Sequence, residues 1–121
     1  MSSIQSYLII ARSSPYGSHN PKAALDMALT AAAFEQEVSV VFLDDGVLQL
    51  LPHQDAESSG LKNMSKMISA LKIYEVKHVY IHSSSAEKSG LDLSQAPDEI
   101  EAITDESLQE LVTNSDHVMV F

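Results

Sequence analysis

Residues 38–52 read VSVVFLDDGVLQLLP, and this stretch decides the architecture. It opens on an apolar run, Val38, Val40, Val41, Phe42 and Leu43, rich in β-branched and aromatic side chains. That length and composition suit a strand buried on both faces of a parallel sheet. Asp44 and Asp45 stop the run, and Gly46 offers a permissive backbone for a sharp exit. Val47, Leu48, Leu50 and Leu51 then crowd together around Gln49. On a short helix these side chains point in several directions, so one packed face cannot bury them all. Pro52 ends the element, because it disfavours helix at Leu51 and donates no ladder hydrogen bond. A second surface is therefore expected over GVLQLL, either the rest of the chain or another subunit. Helical spacing sets Val47 with Leu50 and Leu51 and leaves Leu48 apart, so Leu48 is expected to face a partner more than Val47 does.

Working outward, Tyr7–Ala11 (YLIIA) is another buried-type strand, followed by a loop of turn formers from Arg12 to His19. Asn20 can cap a helix and Pro21 can take its first position. Ala24, Leu25, Ala28, Leu29 and Ala32 recur at helical spacing behind them. Strand, helix and strand make one βαβ unit. Beyond a polar loop, Leu61, Met64, Met67, Ile68 and Leu71 mark a second amphipathic helix, and Val76–His82 a third strand. Serines 83–85 and Gly90 bracket a short helix. Ile100–Thr104 reads as a short strand, and Thr104 as the cap of a helix with Asp105 and Glu106 in its first turn. Leu108, Leu111 and Val112 are its expected buried stripe, and His117–Phe121 a last strand. Alternating strands and helices predict one α/β domain over residues 1–121, a three-layer α/β/α sandwich on a mostly parallel sheet of four or five strands.

Composition narrows the function. The 121 residues carry 17 acids against 7 Lys and Arg, a formal charge of −10, and the only arginine is Arg12. No Lys or Arg follows Lys88, while eight acids accumulate there. Phosphate backbones need neutralising cations, so direct nucleic-acid binding by this chain alone is not expected. No apolar stretch has the length of a membrane span and no signal-peptide pattern opens the chain, which predicts a cytoplasmic protein away from membranes. Cysteine is absent, which leaves no disulfide framework, thiolate metal site or thiol nucleophile.

Ligands of open α/β sheets sit beyond the C-terminal strand ends. Three places qualify. The loop holding Ser13, Tyr16 and Gly17 precedes a helix, as a phosphate cradle does, but lacks the glycine density and lysine-serine ending of a Walker A loop. Asp44-Asp45 resembles the acid pair of a magnesium site, yet a phosphate-accepting acid at the third strand is replaced by His82. A capping role is the better expectation, with no metal and no cofactor. His78, Tyr80 and His82 alternate on one strand face, but the two imidazoles stand roughly 13 Å apart, too far for one ion. His82 alone has the chemistry of a general base, with three serines behind it.

DDGVLQLLP resembles the D-G-V-x-Q-L-L-P string after the second strand in the DsrE, DsrF and TusC sulfur-relay family, closest to its DsrF/TusC branch. Tyr16-Gly17, Leu71-Lys72-Ile73-Tyr74 and the terminal Asp116–Phe121 are weaker matches, spread over nearly the whole chain. The resemblance implies a DsrE/F-like fold. In sulfur-carrying members a cysteine ends the third strand, eight residues before a glycine; the matching frame is His82 to Gly90, and the cysteine position falls on His82. Histidine stores no transferable sulfane sulfur. The implied role is a non-catalytic, TusC-like subunit, packed with a cysteine-bearing TusD-like and a TusB-like chain into a heterohexamer that serves 2-thiolation of the tRNA wobble uridine. Val47, Leu48, Leu50 and Leu51 are then the interface. The alternatives from other classes are a small α/β enzyme using His82 and the neighbouring serines, or a ligand-binding module at the sheet edge.

Overall fold

The Val38 run forms the central strand of the sheet. The computed structural model describes residues 4–13, 20–50, 71, 73, 76, 78–90 and 100–121. Among these, five strands form: β1 (Ser6–Ala11), β2 (Glu37–Phe42), β3 (His78–His82), β4 (Glu101–Ile103) and β5 (His117–Val120). They pair in the order β4-β3-β2-β1-β5, and every pairing is parallel. The strands are joined by helices α1 (Asn20–Ala33), α2 (Ser83–Lys88) and α3 (Asp105–Asn114), and a 3-10 helix over Asp44–Leu50 follows β2.

Residues in register across a parallel ladder share a face, and neighbours along a strand alternate. Ile9, Val40 and Val79 therefore lie in one row, with Phe42 and Ile81 in the next row of that face. They pack with Ala24, Leu25 and Ala28 of α1, and with Leu71 and Val76, into the larger core. Alanine lets a helix approach a sheet closely, which explains the Ala-rich buried side of α1. The opposite face carries Leu8, Ile10, Val41 and Ile103, with Leu108 and Leu111 of α3 packed on them. Helix, sheet and helix make the three layers. The sheet is wholly parallel with five strands, the upper end of the expectation.

Local chemistry explains the boundaries. α1 closes where Glu35 adopts a left-handed backbone (φ 62°), with the Gln36 amide donating to the Ala31 carbonyl at 3.2 Å. Thr104 caps α3 as expected, its hydroxyl oxygen accepting the Ser107 amide at 3.2 Å. α2 begins on His82 with no side-chain cap, so the serines behind it are not its caps.

Three expectations are corrected. The sharp exit from β2 falls on Asp44, which takes φ 52°, and not on Gly46. Gly46 is needed because its backbone presses on β1: a Cβ there would lie 1.8 Å from the Ala11 carbonyl oxygen. Val112 is not part of a buried stripe. It is 41% exposed, and α3 buries no residue completely, because it lies over the sheet face with its outer flank uncovered. Val47 is 0% exposed within this chain's own larger core and is withdrawn from the expected subunit interface. The backbone of Leu48 and Leu50 belongs to the 3-10 helix. Leu51, Tyr16, Gly17 and the expected helix residues Leu61, Met64, Met67 and Ile68 lie outside the described residues.

Candidate functional site

Parallel strands all end on the same side, so the C-terminal ends of β1, β2 and β3 bring Arg12, Asp44 and His82 to one edge of the sheet. His82 is buried at 8% exposure, on the last residue of β3. Its Nδ1 meets the Ser85 hydroxyl at 2.7 Å, and its Nε2 meets an Asp105 carboxylate oxygen. Ser85 Oγ also accepts the Asp44 amide at 2.9 Å. A carboxylate only accepts, so Nε2 carries the proton, and in the neutral ring Nδ1 accepts from the Ser85 hydroxyl. The hydrogen bonds run in one direction: Asp44 N–H to Ser85 O–H to His82, and His82 N–H to Asp105.

Each partner reaches the ring for a local reason. Ser85 lies three residues past His82, on the first turn of α2, which turns its hydroxyl back toward the strand end. Asp105 is the first residue of α3, held there by the Thr104 cap and by the pairing of β4 on β3, which sets Ile103 beside His82. Ser83 reinforces the same junction by donating to the Ile103 carbonyl at 2.9 Å. The left-handed Asp44 directs its carboxylate to Arg12, whose Nε and terminal nitrogen both lie 3.0 Å from Oδ2. This pair is exposed, so its contribution to stability is small. The Asp44 carboxylate is therefore matched to a guanidinium, and its amide to Ser85. Ser13 follows Arg12 at half-buried depth.

A separate groove of about 400 Å³ runs between α3 and the sheet, lined in part by Glu37, Tyr80, Glu101 and Glu110. Burial, and then the negative charge of Glu101, push the Tyr80 phenol above its ordinary value of 10.0. His78 is exposed and stacks on Tyr80, their ring centroids 5.9 Å apart. The acidic lining sets this groove against anionic ligands. Among the described residues no group of three or more His, Cys, Asp and Glu is placed to hold a metal ion.

Residues 5–121 match the DsrE/DsrF-like family. The chain belongs to that family. The DsrE/DsrF-like relatives include the "Intracellular sulfur oxidation protein DsrF" of Allochromatium vinosum, 36% identical, with 98% of this chain and 97% of the relative covered. A "Protein TusC homolog" of Pseudomonas aeruginosa is 34% identical over 95% of this chain and 97% of its own. The solved structure of the ychN protein from E. coli superposes with a TM-score of 0.78 at 22% identity, covering 98% of this chain and all of that one. That likeness establishes the DsrE/DsrF-like fold.

In this DsrE/DsrF-like chain the residues singled out from sequence separate into two groups. His82 and the Asp44 backbone do meet, through Ser85. His78 stands apart on the exposed strand start. Sequence reading missed Asp105 as a partner of His82, since 23 residues separate them and only the β3–β4 pairing brings them together. Ser85 had a usable signal, the three-residue offset from the strand's last histidine.

Proposed function

We propose that this chain is a non-catalytic, TusC-like subunit of a sulfur-relay complex in the cytoplasm. It acts by assembling with a cysteine-bearing TusD-like chain and a TusB-like chain, as part of a heterohexamer that supports 2-thiolation of the tRNA wobble uridine. The observation that carries the reading is the complete absence of cysteine from a chain of this family. A persulfide forms only on a thiolate, and here the position of the family cysteine, by resemblance, is the buried His82 with both ring nitrogens engaged. The names of its relatives, DsrF and TusC homolog, support the sulfur-relay assignment.

Incubation with a cysteine desulfurase and ³⁵S-cysteine is the test. The chain stays unlabelled while a cysteine-bearing relay partner in the same tube takes label. Covalent sulfane label on this chain overturns the reading.

Docking is assigned to the Leu48, Leu50 and Leu51 part of GVLQLL, with Val47 left to the core. Burying a leucine is worth about 1.5–3 kcal/mol, and a charge at that place adds a desolvation cost on assembly. Leu48→Asp is expected to leave the isolated fold intact and to weaken assembly tenfold or more, which corresponds to ~1.4 kcal/mol. Gel filtration with the partner chains, alongside thermal melting of the variant alone, reads both effects. An unchanged complex, or a variant that does not fold by itself, assigns Leu48 to this chain's own core.

One observation favours a second reading. Ser85, His82 and Asp105 form a Ser–His–Asp chain like that of a hydrolase triad, with the ring nitrogens exchanged: Nδ1 meets the serine and Nε2 the aspartate. Against it, Ser85 is buried and its oxygen is already occupied by the Asp44 amide. Ester turnover by the pure chain, lost in His82→Ala, would favour the enzyme over the relay subunit.

A further inference from the structure

A parallel strand inside a three-layer sandwich is ordinarily apolar on both faces. β2 keeps that rule only in its second half. Alternate residues share a face, so toward α3 it carries Glu37, then Ser39, and only then Val41. Ser39 is half-buried although β2 is the central strand. In register with Val41 stand Tyr80 and, at the margin of the sheet, Glu101. α3 sets Leu108 and Leu111 on the apolar residues of this face. The groove of about 400 Å³ lies between the helix and the polar residues, a volume within the range of ligand sites.

Three separate elements bring negative charge to the groove: Glu37 from β2, Glu101 from β4 and Glu110 from α3. Among the described residues no Lys or Arg lines it, and none of the three carboxylates has an ion-pair or hydrogen-bond partner. Unpaired like charges around one cleft repel each other and concentrate cations there. They do not converge on one point, since no group of three among the described residues is placed to hold a metal ion. They suit a cation whose charge is spread. The rest of the lining narrows the choice: Tyr80 offers an aromatic ring, and Leu111 an apolar surface. A guanidinium is planar, stacks on aromatic rings and forks to carboxylates, and its methylene stem lies well on apolar surface. A second copy of this chain is a poor source of that group. Its only arginine, Arg12, is held by Asp44 at the C-terminal strand ends, and the copy would bring a further charge of −10.

We propose that this groove docks an arginine side chain carried on a basic segment of a different protein chain. The guanidinium pairs with the groove carboxylates and stacks against Tyr80, and its stem lies along Leu111. The assignment does not depend on the sulfur-relay reading.

The probes are three fluorescein-labelled peptides with the same Gly-Ser flanks and the centres Arg-Leu-Arg, Lys-Leu-Lys and Glu-Leu-Glu, read by anisotropy against the full chain. The arginine peptide is expected to bind at least tenfold more tightly than the glutamate peptide and several-fold more tightly than the lysine peptide, and to weaken as salt rises. Glu101→Gln and Glu110→Gln, both at exposed positions and nearly unchanged in shape, each weaken it several-fold. Glu106→Gln, on α3 but outside the groove, leaves it unchanged and controls for net charge. Tyr80→Leu brings the arginine peptide down toward the lysine peptide. No binding of the arginine peptide, a lysine peptide that binds as tightly, or a loss from Glu106→Gln equal to that from Glu101→Gln would each overturn the proposal. Spermidine that binds where the arginine peptide does not would overturn it in favour of a free polyamine. A sedimentation coefficient that rises with the concentration of the chain alone, and no longer does so in Glu101→Gln, would overturn it in favour of a second copy.

Discussion

Gly46→Ala is expected to destabilise the fold by about 3 kcal/mol, which lowers the melting temperature by roughly 10 °C in a domain of this size. The reason is a close approach of backbone to backbone. A Cβ at residue 46 would sit 1.8 Å from the Ala11 carbonyl oxygen and 2.6 Å from its carbon. Neither atom belongs to a flexible side chain that can swing away. The Ala11 carbonyl ends a central strand and accepts the Leu43 amide at 3.0 Å, so moving it opens the junction between β1 and the exit from β2. The Gly46 amide closes the same turn on the Leu43 carbonyl at 2.9 Å. Gly90→Ala is the control. Gly90 has φ +74°, and a Cβ added there would meet nothing within 4 Å, so that change costs only left-handed strain of about 1 kcal/mol. Urea and thermal unfolding of the two variants separate the cases. Gly46→Ala melting with the parent protein would show that the turn relaxes freely and that the glycine is not required.

The two glycines show what could be read before the fold was in view. The strands were legible because a parallel sheet buries both faces, and the runs at Leu8–Ala11 and Val40–Leu43 are continuously apolar. The start of α3 was legible from Thr104 and the acids behind it, since capping depends on neighbours in sequence. Gly46 was noticed for the wrong property: conformational freedom was expected there, while the left-handed residue is Asp44 and the glycine answers a crowding that only the β1–β2 pairing creates. Val112 was misplaced for a related reason. Helical spacing gives the direction of a side chain on its helix, but burial depends on what lies across from it, and the flank of α3 that carries Val112 is left exposed. Val47 was grouped with its leucines by composition, and the core claimed it because the 3-10 helix folds back against the end of β1. The site was half legible. His82 stood out as a strand-end histidine, but its carboxylate partner arrives through a strand pairing that no local pattern encodes.

His82→Ala is expected to cost about 3 kcal/mol, a larger effect than a surface histidine would give. Removing the ring leaves the Ser85 hydroxyl without its acceptor in a buried place, worth about 1–3 kcal/mol, and the vacated volume adds a cavity cost at the same site. Ser85→Ala strands the part-buried Asp44 amide and one ring nitrogen of the buried His82 together, with a cost toward the lower end of about 1–3 kcal/mol. Asp105 is different. Its side chain is 78% exposed, so water replaces the lost contact in Asp105→Ala, and the direct interaction is worth less than about 1 kcal/mol. The order of effects is therefore His82→Ala, then Ser85→Ala, then Asp105→Ala, measured by urea unfolding. The double-mutant cycle tests the connection. Once His82 is gone, Ser85 has already lost one partner, so the double variant is expected to cost less than the sum of the singles by about 1 kcal/mol. Strict additivity would mean that the two side chains are not hydrogen-bonded in solution. An Asp105 effect as large as that of His82 would mean that the carboxylate is shielded from water in the chain itself, since only desolvation makes such a pair strong.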